Sequence, residues 1–126
     1  MRLRGAATAV VVLGATLSPV GVGPVSAASP TTSPARAQVS ASEFRLALSR
    51  PSIRRGPAII ELVNYGEDDH DLALRRIGGT RTYRIAVVHP GTTGELDARL
   101  RAGRYAVWCT LADHQARGMR ATLLVR

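Results

Sequence analysis

Hydrophobic and polar residues alternate along most of this chain from Val39 onward, the period-2 signature of half-buried strands. Phe44, Leu46 and Leu48 fall on one face and Glu43, Arg45 and Ala47 on the other, which predicts a single strand that Pro51 ends. After a turn at Arg54-Arg-Gly-Pro57, residues 58–63 are more continuously apolar and predict a central strand. The polar loop Asn64-Tyr-Gly-Glu-Asp-Asp69 leads into a strand that starts at His70, with Leu72 and Leu74 in phase. Further strands are expected at 83–88, 95–100, 104–109 and 120–125. Tyr105, Val107 and Cys109 share one face, and Ala121, Leu123 and Val125 continue the phase of Met119. Trp108, out of phase with Cys109, is expected on the opposite sheet face. Gly and Pro turns separate these segments and no helical period competes. The expected fold is all-β, an antiparallel β-sandwich of about seven to eight strands.

The first residues break the pattern. Met1-Arg-Leu-Arg4 is basic, Gly5 to Leu17 is small and apolar, and Val25-Ser-Ala27 has the small residues of a cleavage site. Residues 1–27 therefore read as a secretory signal peptide, with an apolar run too short to span a bilayer. Residues 28–37, rich in Ser, Thr, Pro and Ala, read as a flexible leader. That leaves 38–126 as one domain, expected to be secreted or extracytoplasmic, without an integral membrane segment, and monomeric.

Export changes how the single cysteine is read. One cysteine cannot close an intramolecular disulfide, and an exposed thiol outside the cell is prone to oxidation. Cys109 is therefore expected to be a buried core residue or a metal ligand. Charge narrows the partners. All seventeen basic residues are arginine; without residues 1–27, fifteen arginines face nine acids, a formal balance of +6. Such a surface favours anionic partners: an acidic protein, a phospholipid headgroup or a polyanion. The arginines are scattered along strands and loops, with no basic helix and no aromatic ladder, so nucleic acid is not expected.

Cys109, His114 and Met119 stand five residues apart. Thiolate, imidazole and thioether belong to the ligand set of a blue-copper electron-transfer site, which takes two histidines, one cysteine and a weak axial methionine. The stretch lacks one histidine, and His70, at the start of another strand, can supply it if the two strands lie side by side. Zinc would take the cysteine and histidines but seldom methionine. There is no C-x-x-C-H for haem, and too few cysteines for an iron–sulfur cluster. A Cys109–His114 nucleophilic dyad lacks an oxyanion-hole motif and leaves His70 and Met119 unexplained. His89, before a proline in a loop, is expected at the surface.

The pattern Asn64-x-Gly66-x-x-x-His70, the turn Gly103-x-Tyr105 into Trp108-Cys109, and Cys109-x4-His114-x4-Met119 resembles the cupredoxins, the relatives of plastocyanin and azurin. The likeness runs from Phe44 onward, with ligand-loop spacing closer to the rusticyanin-like arrangement than to plastocyanin's. It implies a Greek-key β-sandwich that holds one type 1 copper ion on His70, Cys109, His114 and Met119. It implies a non-enzymatic carrier of single electrons through Cu(II)/Cu(I), the alternative being an exported copper buffer or delivery module with the same ligands. The resemblance places Thr110 where a hydroxyl residue follows the ligand cysteine. It places Asp71, usually Asn in the family, where a side chain ties the ligand-bearing segments together. With Asn64 these form the expected supporting shell. Asp71 puts a negative charge beside the metal, which is expected to favour Cu(II) and lower the potential. Asp113 stands where glycine is common. Leu111, Ala112 and Ala116 around His114 mark the expected docking end for a redox partner, expected to be acidic and steered by nearby arginines.

Overall fold

A computed structural model describes residue 5 and residues 8–15, 20–23, 25–27 and 31–126. Contacts divide the chain into Met1–Pro30 and Thr31–Arg126. In the first unit the described residues are exposed and form neither helix nor strand. The basic start of the expected signal peptide, and residues 28–30 just past its expected cleavage point, lie outside the described residues.

The second unit holds nine strands: β1 (Ala35–Ser42), β2 (Arg45–Leu48), β3 (Ser52–Ile53), β4 (Gly56–Asn64), β5 (His70–Arg76), β6 (Thr82–Val88), β7 (Thr93–Leu100), β8 (Gly103–Trp108) and β9 (Arg120–Val125). They form two sheets, ordered β2-β1-β4-β7 and β3-β9-β8-β5-β6. The inward-facing alternate residues, among them Val39, Ile60, Leu62, Leu72, Leu74, Val107, Leu123 and Val125, make one buried core, as two facing sheets require. At Gly94 a Cβ would lie 2.5 Å from Ile85 Cγ2 and 2.8 Å from Val88 Cγ2. Only glycine lets β7 come this close to β6 of the other sheet.

Three features differ from the sequence reading. Residues 39–48 are a hairpin, not one strand: β1 and β2 pair antiparallel with Ser42 opposite Arg45. β1 starts at Ala35, inside the stretch read as leader, because residues 35–41 pair with 58–64 of β4. That pairing is parallel, as is the short β3–β9 pairing, so the sandwich is mixed rather than wholly antiparallel.

The registers give the sandwich two distinct ends. His70 starts β5 opposite Val88, the last residue of β6, while Arg75 near the other end faces Thr82. Trp108 lies opposite Arg120 and Gly103 opposite Val125. Val63 lies opposite Thr93 and Gly56 opposite Leu100. The end of Asn64, His70, Trp108 and Arg120 is therefore one pole, and that of Gly56, Arg76, Leu100 and Gly103 the other. At the second pole the buried Tyr105 hydroxyl donates to the Arg101 carbonyl at 3.0 Å and accepts from the Arg101 N–H at 3.1 Å, bracing the β7–β8 turn. On the outer face Trp108 sits opposite Ala73, with the Arg75 guanidinium 5.6 Å from its ring centre, the side expected for it.

Candidate metal centre

β9, β8 and β5 are consecutive neighbours in one sheet, so the residues at their shared end must meet. His70 opens β5, Cys109 follows β8, and Met119 precedes β9. Donor atoms of His70, Cys109 and His114 lie within 4.8 Å of one another, and Cys109 Sγ is 3.6 Å from His114 Nδ1. His70, Cys109 and Met119 are fully buried, whereas His114 keeps 8% exposure. Burial pushes the Cys109 thiol above its ordinary pKa, because a lone thiolate is costly away from water. A soft cation beside the sulfur would reverse that preference.

Backbone bonds fold residues 110–118 back on themselves. The Cys109 N–H donates to the Met119 carbonyl at 3.1 Å, and the Met119 N–H donates to the His114 carbonyl at 3.0 Å. Within the loop, His114 N–H reaches the Leu111 carbonyl and Arg117 N–H the Asp113 carbonyl. Gly118 turns at φ +123°, where its absent Cβ would press the Phe44 carbonyl at 3.0 Å. The loop thus holds Cys109, His114 and Met119 by main-chain bonds. Asp113 contributes its carbonyl to that network.

His70 is fixed from outside. Its Nε2 lies 3.0 Å from Glu43 Oε1, and a carboxylate can only accept, so Nε2 carries the proton. Nδ1 is then the one fully buried side-chain nitrogen or oxygen without a hydrogen-bond partner among the described residues. A buried polar atom left unpaired calls for an explanation such as an ion. A buried imidazole nitrogen with no partner, beside a cysteine sulfur and a second imidazole, with a buried methionine ending the same loop, is a donor set for a soft metal.

Glu43, in the β1–β2 turn, is the residue the sequence did not reveal. The same Oε1 accepts the N–H groups of Glu67 at 3.0 Å and Asp68 at 2.9 Å, so it anchors the loop before His70 as well as the ring. A Cβ at Gly66 would collide with this carboxylate, which gives the Asn64-x-Gly66 pattern a steric reason. Led by the Asp68 N–H bond, with those of Glu67 and His70 assisting against partial burial, these contacts lower the Glu43 pKa from 4.5 to about 2. A carboxylate with a depressed folded-state pKa stabilises the fold above its unfolded pKa, and that contribution fades as pH falls through the folded one. The stability difference between the wild-type apoprotein and Glu43→Gln should therefore be complete above pH 4.5 and shrink steadily towards pH 2. Denaturant unfolding at several pH values reads this directly; a difference independent of pH would refute it.

The expected supporting residues occupy distinct places. Asp71 Oδ1 accepts the Thr110 N–H at 2.6 Å, and its Oδ2 accepts the Thr110 hydroxyl. This link joins the residue after His70 to the residue after Cys109, beyond the β5–β8 ladder, which starts at Ala73 opposite Trp108. The β5–β6 register shifts between His70 and Leu72, the kind of irregularity that re-aims a side chain beside a site. Asn64, fully buried, donates to the carbonyls of Asp68 at 2.7 Å and Val88 at 2.9 Å and accepts the Gly66 N–H at 2.8 Å. It shapes the loop that delivers His70 rather than touching the donors. His89 is exposed, as expected, and lies 2.7 Å from Asp69.

The fold is that of the cupredoxins. Auracyanin A, a "blue" copper protein from Chloroflexus aurantiacus, superposes with a TM-score of 0.60 at 13% identity, covering 75% of this chain and all of its own. Auracyanin from Roseiflexus castenholzii gives 0.58 at 15% identity, covering 71% of this chain and 94% of that one. An azurin from Methylomonas sp. strain J gives 0.57 at 13% identity, covering 72% and 97%. No protein-family model and no curated protein matches the sequence. On this cupredoxin fold, the cluster of His70, Cys109, His114 and Met119 resembles a type 1 copper site.

The surroundings of His114 differ from the expectation of an arginine-rich docking end. Phe44 packs edge-on against the His114 ring at 5.1 Å, and the Arg117 guanidinium lies 3.5 Å from the Phe44 ring centre. Six of the nine carboxylates (Glu43, Glu67, Asp68, Asp69, Asp71, Asp113) belong to the loops and strand ends of this pole, against Arg45, Arg117 and Arg120. Nine of the arginines line cavities at the other pole.

Proposed function

We propose that the protein holds one type 1 copper ion on His70 Nδ1, Cys109, His114 and Met119 and serves as a single-electron carrier outside the cytoplasm. The observation that carries this reading is the unpaired, fully buried His70 Nδ1 beside the only cysteine in the chain. When bound, copper supplies a one-electron Cu(II)/Cu(I) couple. The chain's part is to keep the donors in place whichever oxidation state is present. The Glu43–His70 bond, the Asp71–Thr110 link and the main-chain bonds of the ligand loop all resist rearrangement, as supporting contacts around metal ligands do. Asp71 brings negative charge close to the donors, which favours Cu(II) and lowers the potential. His114, the one donor with solvent exposure, makes this pole the approach for a redox partner. The half-buried Leu111 and the exposed Ala112 and Ala116 offer it a small apolar contact.

Copper buffering or delivery would use the same residues. Self-exchange and copper-transfer measurements on the loaded protein separate the two. A carrier cycles reversibly at an electrode, exchanges electrons rapidly between copies and retains its metal when mixed with a Cu(I) acceptor. Slow exchange with ready transfer of Cu(I) would favour the delivery role.

A further inference from the structure

The arginines that the sequence scatters are gathered by the fold at the pole opposite the metal centre. There the ends of β5 and β7 and the starts of β4, β6 and β8 surround a cavity of about 880 Å³, and Arg55, Arg76, Arg81, Arg99 and Arg101 line it. A smaller cavity of about 340 Å³ on the other side of the β3–β4 turn is lined by Arg36, Arg50, Arg54 and Arg126. Among the described residues, no carboxylate side chain lines either one. Of these nine arginines only Arg36 makes an ion pair among the described residues, at 3.8 Å from Glu95. Arg76 is steadied by its Nε donating to the Ala102 carbonyl at 2.9 Å, and Arg81 lies 4.8 Å from the Tyr83 ring centre.

We propose that this arginine pole docks on an anionic phospholipid surface, leaving the metal pole turned to the aqueous side. Guanidinium groups present forked donors suited to phosphate oxygens. Many basic groups on one face add up against the negative potential of a charged bilayer within a Debye length. Two neighbouring basic cavities on one face suit a layer of headgroups better than one small anion. A protein partner is disfavoured because interface cores are built from apolar and aromatic residues, and among the described residues of 31–126 the exposed large hydrophobics at this pole are Ile77 and Leu124. Ile77 stands in the β5–β6 turn between Arg76 and Arg81, its N–H held by the Arg104 carbonyl at 2.8 Å, an apolar tip with basic flanks. The chain also enters the domain here, since Ala35 of β1 lies beside Ala58 near the start of β4.

Among the described residues, 31–126 contain every strand and every buried core position, so this unit is the one to test, free of the apolar N-terminal stretch. Its binding is measured by co-sedimentation with vesicles of neutral phosphatidylcholine and with vesicles containing one part in three of phosphatidylglycerol. Binding is expected on the anionic vesicles and to be lost at high salt, with the neutral ones at least roughly tenfold weaker. Arg81→Gln with Arg99→Gln, both exposed positions, should weaken binding on the order of tenfold. Arg45→Gln with Arg120→Gln, the same charge loss at the metal pole, should change it by less than about twofold. Equal weakening by both pairs would reduce the effect to net charge and overturn the proposal. So would equal binding to both vesicle types. Loss of vesicle binding to millimolar pyrophosphate at constant ionic strength would mean a site for soluble phosphates instead. Retention on immobilised polyglutamate without vesicle binding would assign the pole to an acidic protein.

Discussion

Replacing Cys109 by serine is expected to leave a folded protein that takes up Cu(II) without intense visible colour. The sulfur is the only soft anionic donor the chain offers, and it sits 3.6 Å from His114 Nδ1 in a fully buried position. A serine hydroxyl fills nearly the same volume, so the packing around β8 and β9 survives, and the Cys109 main-chain bond to Met119 does not depend on the side chain. What disappears is the thiolate. An alcohol does not ionise in an apolar interior and cannot give sulfur-to-copper charge transfer. Copper affinity should fall by more than the roughly 10–100-fold that losing a supporting bond to a ligand typically costs. Circular dichroism establishes the fold, and a copper titration followed by absorption reads the effect. Retained colour in the serine variant would show that the chromophore does not involve this residue.

The second large effect falls on stability. Asn64→Leu should destabilise the apoprotein by about 2–4 kcal/mol, because a buried leucine of similar size leaves two carbonyls and one N–H without their partner. Those groups belong to Gly66, Asp68 and Val88, so one substitution loosens both the loop before His70 and the end of β6. For a domain of this size the loss corresponds to a fall in Tm of roughly 10–25 °C. Asn64→Asp keeps the acceptor for the Gly66 N–H but loses both donors, and should fall between the wild type and the leucine variant. Thermal unfolding of the three apoproteins measures the order. A leucine variant within about 1 kcal/mol of wild type would mean that the three bonds contribute little beyond what water supplies.

The sequence carried the donor residues because a ligand loop is local: Cys109, His114 and Met119 are separated by fixed spacings that survive any fold. The longer strands were legible for a similar reason, since alternation records which face is buried. The hairpin at 39–48 was not, because its one mark is a single phase slip at the adjacent polar pair Ser42-Glu43, and no Gly, Pro or Asn stands in the turn. β3 is two residues long, below the length at which any period shows; it exists because Ser52 and Ile53 find Leu124 and Val125 alongside. The parallel pairing of β1 is likewise a tertiary choice, made by β4. Glu43 stayed hidden because its role depends on a ring 27 residues away. Charge polarity needs topology most of all: nine arginines in six separate turns and strand ends become one surface only when those ends share a pole.

The central claim is that four side chains, brought to one end of a β-sandwich, form a single type 1 copper site. Titration of the wild-type apoprotein with Cu(II), followed by visible absorption, tests it most directly. The predicted result is an intense thiolate-to-copper band that saturates at one equivalent, bleaches on reduction and returns on reoxidation. A pale adduct without that band, or colour that keeps rising well beyond one equivalent, would contradict it.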